Sequence, residues 1–507
     1  MSASPTHQTA PHPTATSPTR LKATSPAGLK EHLPRQRHPT ESPPRPPAST
    51  GPATTAPSTT APSTPALATT APSTTAPSQA QATTPKTAGQ RLAWLDALRG
   101  IAALCVVFDH VGPRMIPHAF SLVFNVIDPG LYGVLVFFLV SGYIVPASLE
   151  RKGSLRSFWL SRVFRLFPLY LTVIGTVLIL NQFGLAGLWG TNSHPVSSVF
   201  AHLFMLGDML GGSNLVNVLW TLSYEMTFYL VLTALFTLGV HRRSGWYAGG
   251  FAAGALLLGG LLPRLWLSHS ALGFTAVSIG ADALVLTGLA VAVAGHRVSR
   301  TMGACLAAAT GLTLLLVNER QQAYEGLTIL ALMFTGTMLF RAERREISRR
   351  WAALTAVGVF AVVIAAGVWH IGQTNDNVPF RQRQWLVSVA VAGLTFALGL
   401  ALRHRRVPRV LAWLGLVSYS IYLVHPVLIE ASRAIPDTYF PHPAYMQVLV
   451  FAAFFAVLLP LSAVTYYRVE APMQRLGHRI SRRLDARYGP GRLATSPDRL
   501  AASAQTT

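Results

Sequence analysis

The sequence predicts an all-α polytopic membrane protein with about 10–12 transmembrane helices and disordered termini. Three observations predict it. Half of the 507 residues are apolar and only 12% are charged, roughly half the charged share of a soluble domain. The apolar residues fall in blocks of roughly 15–23, the length that crosses a bilayer as helix. The arginines collect in short loops between alternate blocks, as the positive-inside rule describes. That last pattern accounts for the net charge of +22, so the expected partner is the lipid bilayer and no nucleic acid. Cys105 and Cys305 each sit in an apolar run, which makes neither a disulfide framework nor a zinc site. No bound cofactor or metal is expected.

Residues 1–89 are rich in Pro, Ser, Thr and Ala, and ATTAPSTTAPS occurs identically at 53–63 and 68–78. Such a stretch has too little apolar surface to offset chain entropy and reads as a disordered cytoplasmic tail. It lacks the apolar core near Met1 that a secretory signal needs. The membrane domain is expected over 90–475. Its apolar segments run 95–116, 131–149, 165–183, 217–238, 246–263, 272–294, 302–317, 326–340, 351–371, 385–402, 411–430 and 446–467, and a short piece at 198–210 could be re-entrant. Basic loops at 151–165, 241–243, 296–300, 341–350 and 403–409 alternate with loops such as 117–130 and 184–197 that contain no Lys or Arg. Twelve crossings with both termini cytoplasmic, in a bacterial cytoplasmic membrane, fit this alternation; the short 302–317 and 326–340 allow ten. Residues 476–507 read as a basic stretch followed by a disordered tail.

The chemistry concentrates in LDALRGIAALCVVFDH, Leu95 to His110, which places Asp96, Arg99, Asp109 and His110 in the first apolar segment. Arg99 and His110 are eleven positions apart, so both side chains lie on one helix face, about 16 Å apart. Ionisable groups facing lipid cost several kcal/mol, so these should face a protein interior or a watery cavity. On a rise of about 1.5 Å per residue, His110 lies about 22 Å and His425 of SYSIYLVHP about 21 Å from the cytoplasmic edge. Glu225 of LWTLSYEMTFYL lies about 14 Å below the outer edge, and Ser141 and Tyr143 of VFFLVSGY about 15–18 Å below it. All fall in one band near the midplane.

A histidine beside a carboxylate is the usual proton acceptor for a hydroxyl nucleophile. Asp109, Glu225 or both could orient the His110 ring as the third member of a triad does. Structural readings stand beside these. Asp96 could simply pair with Arg99, Glu225 could pin helices together, and Ser-Gly-Tyr at 141–143 could mark close helix packing. Arg162 and Arg165, three apart, make a fork for phosphate oxygens, or merely satisfy topology.

Taken together, LDALRGIAALCVVFDH, FFLVSGY, RVFRLFP, WTLSYE, LGLVSYSIYLVHP and VEAP, in that order, resemble the bacterial integral-membrane acyltransferase family 3, over about residues 91–475. That resemblance implies transfer of an acyl group, expected to be acetyl, from acyl-CoA as co-substrate to a hydroxyl of a glycan, glycolipid or small glycoside. It implies His110 as catalytic base with Arg99 as its companion, Arg162 and Arg165 at the coenzyme A phosphates, and Glu225 in the active-site cavity. Ser141, Tyr143, Trp220 and His425 complete the expected substrate-binding set. Cys105, five residues from His110, points to another helix face, which favours direct transfer over a covalent intermediate. The tail after Arg468 is too short for the extracellular SGNH-type domain that some members carry. An envelope glycan is slightly preferred as acceptor over a secreted glycoside. A proton-coupled transporter would also place ionisable residues at the midplane, but the second half contains no copy of the His110 or Glu225 motif. A different class of membrane O-acyltransferase using an intramembrane histidine is the other alternative.

Overall fold

In the computed structural model, which describes residues 93–184, 200–212, 215–373, 377–432 and 443–489, every regular element is helical. The first helices are α1 (Ala93–Met115), the short α2 (Pro117–Phe124), α3 (Pro129–Lys152), α4 (Leu155–Gln182) and α5 (Trp220–Thr237). Then come α6 (Ser244–Leu258), α7 (Gly273–Ala294), α8 (Arg297–Val317), α9 (Ala323–Glu343), α10 (Arg349–Ile371) and α11 (Val378–Ala401). The last are α12 (Arg409–Leu416), α13 (Ser418–Ser432), α14 (Ala444–Thr465) and α15 (Ala471–Tyr488). The tail expected over 1–89, nearly all of the 184–197 loop and residues 490–507 lie outside the described residues. Of the piece at 198–210, residues 200–203 are helical and turns follow.

Each of the twelve apolar segments falls on a helix, but they are not equal. Nine helices among the described residues are long and apolar enough to cross a membrane, and α12 with α13, bent by 65°, makes a tenth where the pair is counted as one span. Two expected crossings fall short of that description for physical reasons. The 15 residues of α6 reach only about 22 Å, less than a hydrocarbon core of about 30 Å. In α1 the obstacle is charge: it carries Asp96, Arg99, Asp109 and Arg114.

Packing explains how α1 tolerates them. It lies against α3, α12, α13 and α14, so its polar face meets protein. The crossings are close because glycine occupies the contact points. A Cβ at Gly100 would stand 2.8 Å from the Leu414 Cβ, and one at Gly133 of α3 would stand 2.6 Å from the Ala102 carbonyl of α1. Likewise a Cβ at Gly142 would meet the Met333 carbonyl of α9 at 1.9 Å, and Thr337 Oγ1 donates to the Gly142 carbonyl at 2.9 Å. Small residues at such positions let membrane helices approach to backbone contact. By contrast α7, α10 and α14 show apolar side chains such as Leu284, Leu354 and Val457 at the surface, where lipid would cover them. The boundary expected at 475 falls inside α15, which continues from α14 through a π-helical turn at Tyr466–Glu470 and packs Gly477 onto Phe164 of α4.

At the end of the bundle where α5 meets α6, Arg341 holds Glu150, bonds Glu346 at 2.8 Å and donates to the His241 carbonyl at 3.2 Å. Burial, with Arg341 and Arg242 adding repulsion, pushes the His241 imidazole down to about 4. An unfolded histidine takes its proton near pH 6.5. The folded protein therefore loses stability as pH falls from about 6.5 towards 4, because the unfolded chain binds that proton first. Thermal unfolding of His241→Gln should show a smaller drop between pH 7 and pH 5 than the parent; an equal drop would place the acid sensitivity elsewhere.

Candidate active site

A cavity with about 570 Å³ of space unfilled by atoms opens among five helices. Arg99 comes from α1; Val134, Phe137, Phe138 and Ser141 from α3; Arg165 and Leu166 from α4; Thr221, Leu222 and Glu225 from α5; Tyr419 and Tyr422 from α13. Helical spacing selects them. Phe137 and Ser141, and Thr221 and Glu225, are four apart, while Tyr419 and Tyr422 are three apart, so each pair shares a helix face. The cavity thus presents two guanidiniums and one carboxylate on a mostly aromatic and aliphatic wall, a form typical of ligand sites.

Glu225 ties the polar groups together. It accepts hydrogen bonds from Ser141 Oγ at 3.3 Å and from the Tyr229 hydroxyl, and acts electrostatically on Arg99, Arg162 and Arg165. Glu470, 3% exposed, is a second counter-charge for Arg99 and Arg165; it bonds Ser420 at 3.2 Å and Gln474 at 3.0 Å. The expected fork of Arg162 and Arg165 is split. Arg162 is buried, its guanidinium 5.4 Å from the Phe158 ring and 5.2 Å from the Tyr229 ring. The two arginines that share the cavity are Arg165 and Arg99.

His110 and His425 lie one layer further along the helices, outside the cavity lining. Their ring centroids are 5.2 Å apart, as their matching depths implied. His425 lies 6.1 Å from Tyr422 of the cavity wall. Tyr422 is itself held by Thr221 Oγ1 at 2.8 Å and the Val218 carbonyl at 3.1 Å. The single expected band is therefore two layers, Arg99, Ser141, Glu225 and Arg165 in one and the histidines in the other. What orients His110 is its own helix: Nδ1–H donates to the Val106 carbonyl at 2.8 Å, which leaves Nε2 as the lone-pair acceptor a general base needs. Neither Glu225 nor Asp109 takes that place. Asp109 accepts instead from the Gly130 amide at the start of α3. The carboxylate acting on His110 is Asp128, the N-cap of α3, which accepts from Leu131 N at 2.7 Å. Burial pushes the Asp128 carboxyl up, against the pull of the Leu131 and Gly130 amides.

Tyr143 and Trp220 also lie outside the cavity lining. Tyr143 is buried in an aromatic cluster with Trp94, Phe340 and Phe396. Trp220 stands edge-on to Tyr224, with ring centroids 5.7 Å apart. Cys105 is absent from the lining as well. Reasoning from motifs alone passed over Tyr419, Tyr422, Thr221, Tyr229 and Glu470. The signal for the tyrosines was present: Tyr419, Tyr422 and His425 recur every three residues along α13.

The fold and this site define a multi-pass membrane protein with a charged cavity inside its helix bundle. The acyltransferase family 3 model, an acyltransferase domain, matches residues 92–467, and the chain belongs to that family. Among curated relatives, YrhL of Bacillus subtilis, named as a candidate peptidoglycan O-acetyltransferase, is 24% identical over 77% of this chain and 56% of its own length. Nodulation protein 10 of Rhizobium leguminosarum is 32% identical over 29% of this chain and 44% of its own. Peptidoglycan O-acetyltransferase OatA of Listeria monocytogenes is 22% identical over 76% and 56%. The chain spans about half the length of the curated relatives it matches. No solved structure matches.

Proposed function

We propose that this chain is a membrane O-acyltransferase that moves an acetyl group from acyl-CoA to a hydroxyl of a cell-envelope glycan, with His110 as general base. The observation that carries the reading is the layered arrangement: a cavity with Arg99 and Arg165 whose Tyr422 wall backs onto the His425 and His110 pair. Loops rich in arginine follow α3, α5, α9 and α11 at the same end of the bundle as the start of α1, and the positive-inside rule supports reading that end as cytoplasmic. A polyanionic donor would rest its phosphates on this basic end, and its narrow thiol-linked arm would enter past Arg165 and Arg99. The thioester would then lie within reach of the histidine layer, and the acceptor hydroxyl would approach His110 from the opposite side. His110 Nε2 takes the hydroxyl proton as oxygen attacks the thioester carbonyl, and the thiol leaves. The names of YrhL and OatA favour a peptidoglycan acceptor.

Arg165 supplies the test. With purified protein and acetyl-CoA labelled in the acetyl group, Arg165→Met should raise the KM for acetyl-CoA by about 10–100-fold, the worth of one charged hydrogen bond. It should lower kcat far less. An unchanged KM would detach the cavity from the donor.

A further inference from the structure

His425 is 0% exposed. Its Nδ1–H donates to the Ile421 carbonyl at 3.0 Å, and its Nε2 meets no hydrogen-bond partner among the described residues. A buried polar nitrogen left so is costly and asks for an occupant. His110 is held the same way, by the Val106 carbonyl. Both rings therefore carry their hydrogen on Nδ1 and offer Nε2 as an acceptor. At a centroid separation of 5.2 Å, two imidazoles can bring edge nitrogens within hydrogen-bond reach. Two acceptors cannot bond to each other, but the arrival of one proton joins them. Asp128 acts electrostatically on His110, Asp109 is engaged at Gly130, and Tyr422 is engaged with Thr221 and Val218. The second imidazole stands between His110 and the cavity.

We propose that His425 is a second proton carrier of the transfer reaction, passing the proton from His110 Nε2 through its own Nε2 to the sulfur of the departing thiol. This rests on the O-acyltransferase reading. The hydroxyl O–H and thioester C–S bonds break, the ester C–O and thiol S–H bonds form, and both imidazoles return to neutral. No other reactant is consumed.

Single-turnover transfer from acetyl-CoA to soluble peptidoglycan fragments, with His425→Gln, His425→Asn and His110→Ala beside the parent, tests it. Both His425 variants should lose about 100-fold or more in rate, within the range of general acid–base catalysis, and keep the parent's Kd for acetyl-CoA. The parent's rate should fall along a curve as D2O replaces water, because two protons are in flight; in His425→Gln the dependence should become linear. Parental rates in the His425 variants, with activity lost only in His110→Ala, would overturn the relay and leave the reading intact. Loss of acetyl-CoA binding in both His425 variants would make His425 a packing residue and overturn it too. Parental activity in His110→Ala would remove His110 as the base and sink the relay with it, whereas absence of transfer by the parent would sink the O-acyltransferase reading itself.

Discussion

His110→Ala is expected to lower acyl transfer by about 10²–10⁴-fold, the usual contribution of a positioned general base, with little change in the KM for acetyl-CoA. The split follows from the layering. His110 does not line the arginine cavity, so removing it leaves the donor's seat intact and takes away only the acceptor of the hydroxyl proton. Its Nδ1–H ends on a backbone carbonyl of the same helix, so the variant disturbs no inter-helix hydrogen bond through that nitrogen. Steady-state kinetics with varied acetyl-CoA check this. A rise in KM comparable to the loss in kcat would mean that the imidazole binds the donor rather than activating the acceptor.

Glu225→Leu is expected to destabilise the bundle by about 2–3 kcal/mol, the cost of leaving buried donors and nearby charges without their acceptor. The carboxylate accepts from Ser141 and Tyr229 and offsets three guanidiniums on two other helices, Arg99, Arg162 and Arg165. A leucine would leave Arg99 and Arg165 sharing the cavity with Glu470 as their main remaining counter-charge. Glu225→Gln keeps the acceptor oxygen and loses the charge, so it should fall between. Thermal unfolding in one detergent at constant salt checks both. If Glu225→Leu matched or exceeded the parent in stability, the carboxylate would not be the electrostatic centre of the cavity.

Much of this was legible before any coordinates. Apolar block lengths placed the helices because each block had to be both long enough and uncharged enough to leave water. The same reasoning counted α1 as a crossing with its charges turned inward, as its packing has it, while α6 is shorter than its apolar block, 15 helical residues. Depth arithmetic gave His110 and His425 similar heights, although the count to His425 runs through the 65° bend between α12 and α13. It could not say which faces met. The neighbour of Glu225 on another helix is Ser141, four residues past Phe137, and that pairing depends on the Gly142 crossing with α9, set by backbone approach rather than by motif. Arg162 and Arg165 looked equivalent at a spacing of three. Only the packing of Phe158 and Tyr229 around the first shows that one is sheathed and the other lines the cavity.

Glu470 illustrates another kind of gap. Its VEAP stretch reads as the end of a membrane helix, and nothing in the local pattern announces a partner for arginines some 300–370 positions earlier. The π-helical turn at Tyr466–Glu470 adds a residue to the helical repeat, a feature often found at functional sites.

The most direct measurement is to incubate the purified chain with acetyl-CoA, heavy-labelled in the acetyl group, and soluble peptidoglycan fragments, and to weigh acceptor, coenzyme and protein by mass spectrometry. The account predicts an alkali-labile labelled ester on a sugar hydroxyl, one free thiol of coenzyme A for each ester formed, and unlabelled protein throughout turnover. Label accumulating on the chain itself, or thiol release and ester formation that proceed equally in His110→Ala, would contradict it.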